Sequence, residues 1–111
     1  MNIQELIAID VHTHAEVSCR CGPDEFRKDI DEAAEKYFKF SHRPTIPETI
    51  AYYRERKIGL VMFSVDAEAN IGRRRIPNEE GAEAALENRD MMVGFASIDP
   101  HKGIMGVREA R

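Results

Sequence analysis

Long apolar runs, an excess of basic residues and a set of paired cysteines are all missing from this 111-residue sequence. No apolar run approaches the roughly 20 residues that a membrane-spanning helix needs, and the N-terminus shows no signal peptide. The formal net charge of -4 offers no basic face to a nucleic-acid backbone. We therefore expect a cytoplasmic protein with neither membrane nor nucleic acid as a partner.

The two cysteines, Cys19 and Cys21, are separated by a single residue. Ring strain disfavours a disulfide across so short a gap, and a cytosolic protein keeps both thiols reduced. A CxC pair can bind metal, but a structural zinc site usually takes four ligands from two such pairs, and the sequence has no second pair. We therefore interpret both cysteines as loop residues.

Three short apolar runs predict the strands of a parallel sheet. The runs are residues 6–11, 59–65 and 92–98. Each run is continuous rather than alternating, a pattern typical of strands that are covered on both faces. Helical patterns lie between the runs, and this alternation predicts an α/β fold with right-handed crossovers.

Apolar spacing and one capping signal identify the helices. Apolar residues recur at helical spacing from Phe26 to Phe38. A second helix begins at Thr45, where Glu48 completes a capping box. A third helix covers residues 78–86 and contains Gly81, which costs about 1 kcal/mol relative to Ala in a helix interior. Nothing in the sequence explains that glycine.

A further helical segment, residues 102–111, follows the third predicted strand. A complete (β/α)8 barrel takes about 250 residues. We therefore predict that residues 1–111 form one domain, the N-terminal portion of a TIM barrel. They would supply its first three βα units and be incomplete at the C-terminus. A small open α/β domain with a short last helix is the alternative.

Polar side chains collect where the predicted strands end, and active sites of parallel α/β folds form at the carboxyl ends of strands. Asp10, His12 and His14 follow the first strand at alternate positions and are expected to share one face. Two neutral imidazoles placed side by side can bind one divalent ion, such as zinc. The pattern therefore predicts His12 and His14 as metal ligands, with Asp10 fixing a histidine ring or backbone groups.

The segment "AIDVHTHAE" resembles the opening of the amidohydrolase superfamily, in which the first barrel strand ends in a metal-binding HxH. The later "FASIDPH" is similar to the amidohydrolase-related branch, which includes aminocarboxymuconate-semialdehyde decarboxylase, γ-resorcylate decarboxylase and lactone hydrolases. The resemblance implies that His12 and His14 hold one divalent ion, commonly zinc. It also implies a further histidine on the fifth strand and a catalytic aspartate on the eighth, both expected beyond Arg111. Neither His42 nor His101 lies at a matching position.

The resemblance implies a metal-dependent hydrolase that cleaves an amide, lactone or thioester bond in a small carboxylate-bearing or aromatic metabolite. Decarboxylation of the substrate with the help of the same metal is the alternative. The acid–base group that would distinguish hydrolysis from decarboxylation is expected outside this sequence. On this reading the isolated chain is inactive and could form a homo-oligomer. A truncated, non-catalytic interaction module is the hypothesis from another class. A flavodoxin-like binding domain is weaker, because no Gly-rich phosphate loop follows any strand.

Four further positions have two possible interpretations each. Arg73 and Arg74, in "GRRR", could clamp the carboxylate or phosphate of a substrate, or belong to a solvated loop turned against the acidic "NEE" that follows. Glu16, two residues beyond His14, could reach the metal or a water molecule. Asp99, before a proline, is typical of a turn or helix cap rather than a catalytic acid.

Overall fold

The computed structural model describes residues 1–21, 27–39 and 43–111. His42, which we interpreted as a loop residue, lies outside the described residues. The strands are β1 (Ala8–His14), β2 (Ile58–Phe63) and β3 (Met92–Phe95). The α-helices are α1 (Arg27–Phe38), α2 (Ile46–Glu55), α3 (Glu68–Ile71), α4 (Asn78–Glu87) and α5 (Ile104–Glu109), and a 3-10 turn covers Pro100–Lys102.

The three strands form one parallel sheet in the order β1-β2-β3, so the predicted α/β class with a parallel sheet is confirmed. The first strand begins two residues later than predicted and continues through both histidines of the HxH motif. The third strand is shorter than predicted and ends at Phe95. The described residues form an open sheet, with β1 and β3 at its edges.

The core lies on one face of this sheet. Leu60 and Met62 of the central strand are almost fully buried against Ile46 and Ile50 of α2. Helix α4 packs on the same face through Ala84 and Ala85. Burying a side chain of this size stabilises the fold by about 1.5–3 kcal/mol. The central strand, α2 and the methionines Met91 and Met92 at the start of β3 therefore form the core, and α4 packs against it.

The other face of the sheet is open within the described residues. Val93 and Phe95 of β3 lie in register with Val61 and Phe63 of β2, and Phe95 is 62% exposed. The expectation that all three strands are covered on both faces is therefore wrong for the part of the chain that the structure describes. A continuous apolar run does not reveal whether a partner layer exists on each side of a strand.

The predicted N-terminus of α2 is confirmed at atomic detail. The hydroxyl of Thr45 accepts from the backbone N–H of Glu48, and the Glu48 carboxylate accepts from the backbone N–H of Thr45 at 2.8 Å. These two bonds satisfy backbone donors that a helix end otherwise leaves unpaired. Helix α2 is therefore anchored at the end that faces the first strand's histidines. None of the helices within the described ranges is long and apolar enough to cross a membrane.

Candidate metal centre at the bulged first strand

A β-bulge interrupts the pairing of β1 with β2 at the HxH motif. Asp10 pairs with Leu60, and the next paired residues are Thr13 and Met62, so three steps along β1 match two steps along β2. An extra residue of this kind breaks the simple alternation of side chains along a strand. The faces of residues 10 to 14 therefore cannot be read from their spacing alone.

Asp10 points toward the helices, and the bulge that follows it places His14 opposite Phe63, on the other face of the sheet. Asp10 and Thr13 pair with Leu60 and Met62, whose side chains lie in the core, and the carboxylate of Asp10 accepts from the hydroxyl of Tyr53 at 2.7 Å. Tyr53 belongs to α2. The prediction that Asp10 shares a face with His12 and His14 is therefore wrong, because one inserted residue shifts the alternation between them.

His12 and His14 do lie together, as predicted. Their Nε2 atoms are 2.9 Å apart, and their rings are stacked with centroids 5.0 Å apart and planes 12° from parallel. The ring of Phe63 lies 4.6 Å from that of His14 and 5.4 Å from that of His12. At this separation one Nε2 donates a hydrogen bond and the other accepts it. The two nitrogens thus lie together beside an apolar ring.

Side-chain hydrogen bonds hold the bulged segment. The backbone N–H of His12 donates to Oδ1 of Asp10 at 3.0 Å, and the hydroxyl of Thr13 donates to the carbonyl of Val61 at 2.6 Å. The hydrogen bond from Tyr53, helped by the His12 N–H, holds the pKa of the Asp10 carboxyl below its usual value. Burial, together with the bond to Asp10, raises the pKa of Tyr53 to about 12. At neutral pH the phenol is therefore the donor and the carboxylate is the acceptor.

A cavity of about 900 Å³ opens beside the two histidines. Its lining includes His12, His14, Glu16, Arg43, Tyr52 and Tyr53. The Arg43 guanidinium lies 3.7 Å from the Glu16 carboxylate and donates to Asp31 of α1 at 2.7 Å. Glu16 therefore lines the same cavity as the histidines, where it pairs with Arg43, and its contact with a metal or a water molecule stays a prediction. Nothing in the sequence spacing had singled out Arg43, because its position depends on how the chain folds between α1 and α2.

The arginines predicted to bind substrate lie elsewhere. Neither Arg73 nor Arg74 lines the cavity beside the histidines. The third arginine of "GRRR", Arg75, pairs with Asp66 at 2.9 Å and with Glu109 rather than with the "NEE" that follows. The proposed role of Arg73 and Arg74 as an anion clamp stays a prediction.

The acidic residues after β2 and β3 bind groups of the chain itself. The ammonium of Lys102 lies 2.7 Å from both Asp66 and Glu68. The buried carboxylate of Asp99 accepts from the backbone N–H groups of His101 at 2.9 Å and Ala69 at 3.0 Å. This confirms Asp99 as a cap of the 3-10 turn. These carboxylates therefore stabilise the loops at the strand ends.

The donor set at β1 consists of two imidazoles. Within residues 1–21, 27–39 and 43–111, no group of three or more His, Cys, Asp or Glu side chains is placed to hold a metal ion. In a tetrahedral zinc site with Zn–N bonds of about 2.0–2.1 Å, two histidine nitrogens lie about 3.3 Å apart. The observed 2.9 Å between the Nε2 atoms needs only a small adjustment to reach that spacing. The pair therefore fits half of a zinc coordination sphere.

Comparisons of the chain with protein-family models, with curated proteins and with solved structures found no match. Functional assignment therefore depends on the geometry of the site and on the chemistry of its residues.

Proposed function

We propose that this chain carries part of the active site of a metal-dependent hydrolase of the amidohydrolase type, in which His12 and His14 bind one divalent ion, most naturally zinc. The observation that carries the proposal is the 2.9 Å separation of the two Nε2 atoms on neighbouring stacked rings. The "DVHTH" segment, which resembles the first metal-binding motif of that superfamily, supports the same reading.

We also propose that the three βα units are the beginning of a TIM (β/α)8 barrel, with residues 1–111 as its N-terminal portion. Two observations support this architecture. The strands are parallel and neighbour one another in chain order, which is the arrangement of consecutive barrel strands. Helices α2 and α4 lie on one face of the sheet, and the apolar side chains of Val93 and Phe95 are exposed on the other. In a barrel that second face is the packed interior.

In such a site the bound ion would polarise a substrate carbonyl or lower the pKa of a water molecule. The chain's own residues would hold the ion through His12 and His14 and surround the substrate in the adjoining cavity. That cavity, at about 900 Å³, falls within the usual range of small-molecule sites. The substrate class we propose is a small carboxylate-bearing or aromatic metabolite with an amide, lactone or thioester bond.

Decarboxylation is a second candidate that uses the same ligands. Its substrate bears a carboxylate, which could contact the Arg43 guanidinium of the cavity only in exchange for the pairs that Arg43 makes with Glu16 and Asp31. Loss of that carboxylate and hydrolysis of a neighbouring bond release different products. Carbon dioxide release from aromatic or enol acids, measured beside hydrolysis of ester, lactone and amide substrates, separates the two reactions.

The proposal is tested by Zn²⁺ affinity, measured by competition with a chromogenic chelator. We compare the unmodified chain with His12→Ala, His14→Ala and the control His101→Ala. The two HxH variants should lose more than the 10–100-fold that removal of a ligand's supporting partner typically costs. The His101 variant should retain its affinity, since that side chain is 61% exposed and contacts Asp99 instead. Equal affinity in all four proteins would contradict the proposal and favour the non-catalytic interaction module.

A further inference from the structure

We infer that the hydroxyl of Tyr53 positions the His12–His14 pair through the carboxylate of Asp10. This inference deepens the proposed function and rests on it where Zn²⁺ affinity is the quantity measured. Tyr53 is therefore a positioning residue rather than a ligand.

The connection uses both oxygens of one carboxylate. Oδ2 of Asp10 accepts from the Tyr53 hydroxyl at 2.7 Å, and Oδ1 accepts from the backbone N–H of His12 at 3.0 Å. Charge-assisted bonds of this kind are shorter and stronger than bonds between neutral groups. With both oxygens engaged, the carboxylate is fixed between α2 and the bulge. Asp10 thus transmits the position of the helix to the backbone of His12.

The bulge explains why His12 needs such support. Regular pairing with β2 stops after Asp10 and resumes at Thr13, so His12 lies in the interrupted part of an edge strand. Its backbone N–H donates to the carboxylate of Asp10. Thr13, on the far side of the interruption, is held by its own hydrogen bond to Val61. The carboxylate of Asp10 therefore holds the backbone of His12 where the regular pairing between β1 and β2 is interrupted.

Tyr53 is a suitable anchor because its ring packs against the core. Its ring packs against the buried core cluster and meets the ring of Tyr52 edge-on, with centroids 5.8 Å apart. Helix α2 carries it three residues beyond the buried Ile50, and the Thr45 capping box holds the start of the same helix. Replacement by phenylalanine keeps this packing and removes only the hydroxyl. Any effect of Tyr53→Phe on the histidines therefore travels through the bond to Asp10.

The experiment combines a metal-independent and a metal-dependent readout on the full chain. In the first, NMR cross-relaxation between the ring protons of His12 and Phe63, whose centroids lie 5.4 Å apart, reports the ring position. In the second, Zn²⁺ affinity is measured by competition. Tyr53→Phe should weaken the ring contact and lower the affinity about tenfold or more. The control Tyr37→Phe removes a hydroxyl from a side chain that is 71% exposed on α1, and it should change neither readout.

The route through Asp10 is tested by a second variant. Asp10→Asn should also weaken Zn²⁺ affinity, and adding Tyr53→Phe to it should cost much less than Tyr53→Phe costs alone. The effects of two substitutions on one path are coupled in this way, whereas the free-energy effects of independent substitutions add. Full additivity would overturn the route through Asp10.

The outcomes separate this inference from the proposed function. If Tyr53→Phe lowers only the free energy of unfolding, while ring contact and Zn²⁺ affinity stay unchanged, the positioning role is wrong. If Tyr53→Phe loses the ring contact but His12→Ala binds Zn²⁺ like the unmodified chain, the positioning role is supported and the proposed metal site is wrong. If His12→Ala loses Zn²⁺ binding while Tyr53→Phe matches Tyr37→Phe in both measurements, the proposed metal site is supported and the positioning role is wrong.

Discussion

The ammonium of Lys102 lies 2.7 Å from Oδ2 and 2.9 Å from Oδ1 of Asp66, a carboxylate that is fully buried. Lys102 ends the 3-10 turn after β3, and Asp66 lies in the loop after β2. The pair therefore connects the ends of two neighbouring strands. Arg75 also donates to Asp66, so the buried charge is compensated from two sides.

Removing the lysine should destabilise the fold. We expect Lys102→Met to lower the free energy of unfolding by about 1.5–3 kcal/mol, because it leaves a buried carboxylate short of a charged donor. Urea denaturation measures the change. The control is Lys28→Met, since the side chain of Lys28 is 82% exposed and its pairing with Glu32 is a surface contact worth at most about 0.5 kcal/mol. Equal losses in the two variants would show that the Asp66 contact contributes no more than a surface pair.

Stability should fall in acid through Asp99. The N–H groups of His101 and Ala69 hold the pKa of the Asp99 carboxyl below its usual value, and burial only partly opposes them. A carboxyl with a lowered folded-state pKa contributes stability above its unfolded pKa of about 3.9, and that stability is lost as the pH falls through the folded value. Asp99→Asn should therefore be less stable than the unmodified chain near neutral pH.

The same variant provides the measurement. Urea unfolding between about pH 7 and about pH 2.5 should show the gap between Asp99→Asn and the unmodified chain shrinking as the pH falls below about 4. A gap of constant size over this range would mean that the carboxylate's charge contributes nothing to stability, and that the substitution acts through packing alone.

The capping box of α2 provides a local test. Thr45→Ala should lower the free energy of unfolding by about 1 kcal/mol, because the backbone N–H of Glu48 loses its acceptor. Thr45→Ser keeps a hydroxyl at the same place and should recover most of the loss. Thermal unfolding followed by circular dichroism compares the three proteins. Similar losses with serine and alanine would assign the effect to the threonine methyl group instead.

Two glycines should respond to alanine in opposite directions. A Cβ added at Gly81, in the interior of α4, meets nothing within 4 Å, so Gly81→Ala should stabilise the protein by about 0.5–1 kcal/mol. A Cβ added at Gly94 would lie 3.3 Å from both the Cβ of Ala85 and the carbonyl oxygen of Gly81, so Gly94→Ala should destabilise it. Urea midpoints compare the two. Stabilisation by Gly94→Ala would show that α4 can move away from β3 at little cost.

Much of the architecture was predictable because it depends on local patterns. Apolar periodicity placed the three strands and the helices α1, α2, α4 and α5 to within a few residues, whereas the short α3 was not predicted. The Thr45–Glu48 pair marked the start of α2 correctly. The nearness of His12 and His14 was also predictable, since residues two apart on a strand usually project together. These features depend on neighbours in sequence.

The remaining features depend on contacts between distant residues. The bulge that separates the face of Asp10 from that of His14 arises from the register between β1 and β2, and register is a property of the pair rather than of either strand. Arg43 reaches the histidine cavity only because the chain folds back between α1 and α2.

By itself, the sequence determined the α/β class, because strand and helix patterns alternate along the chain. It also determined the capped second helix and the placement of two imidazoles side by side, because each of these follows from the geometry of a single element. The tertiary structure decided which carboxylates approach the histidines and which are engaged elsewhere. Asp66 and Asp99 are drawn to Lys102 and to backbone N–H groups, because a buried carboxylate is stable only when its lone pairs are compensated. Lys102 and Ala69, which compensate Asp66 and Asp99, lie about thirty positions away from them in the sequence. Only the folded chain brings these partners together.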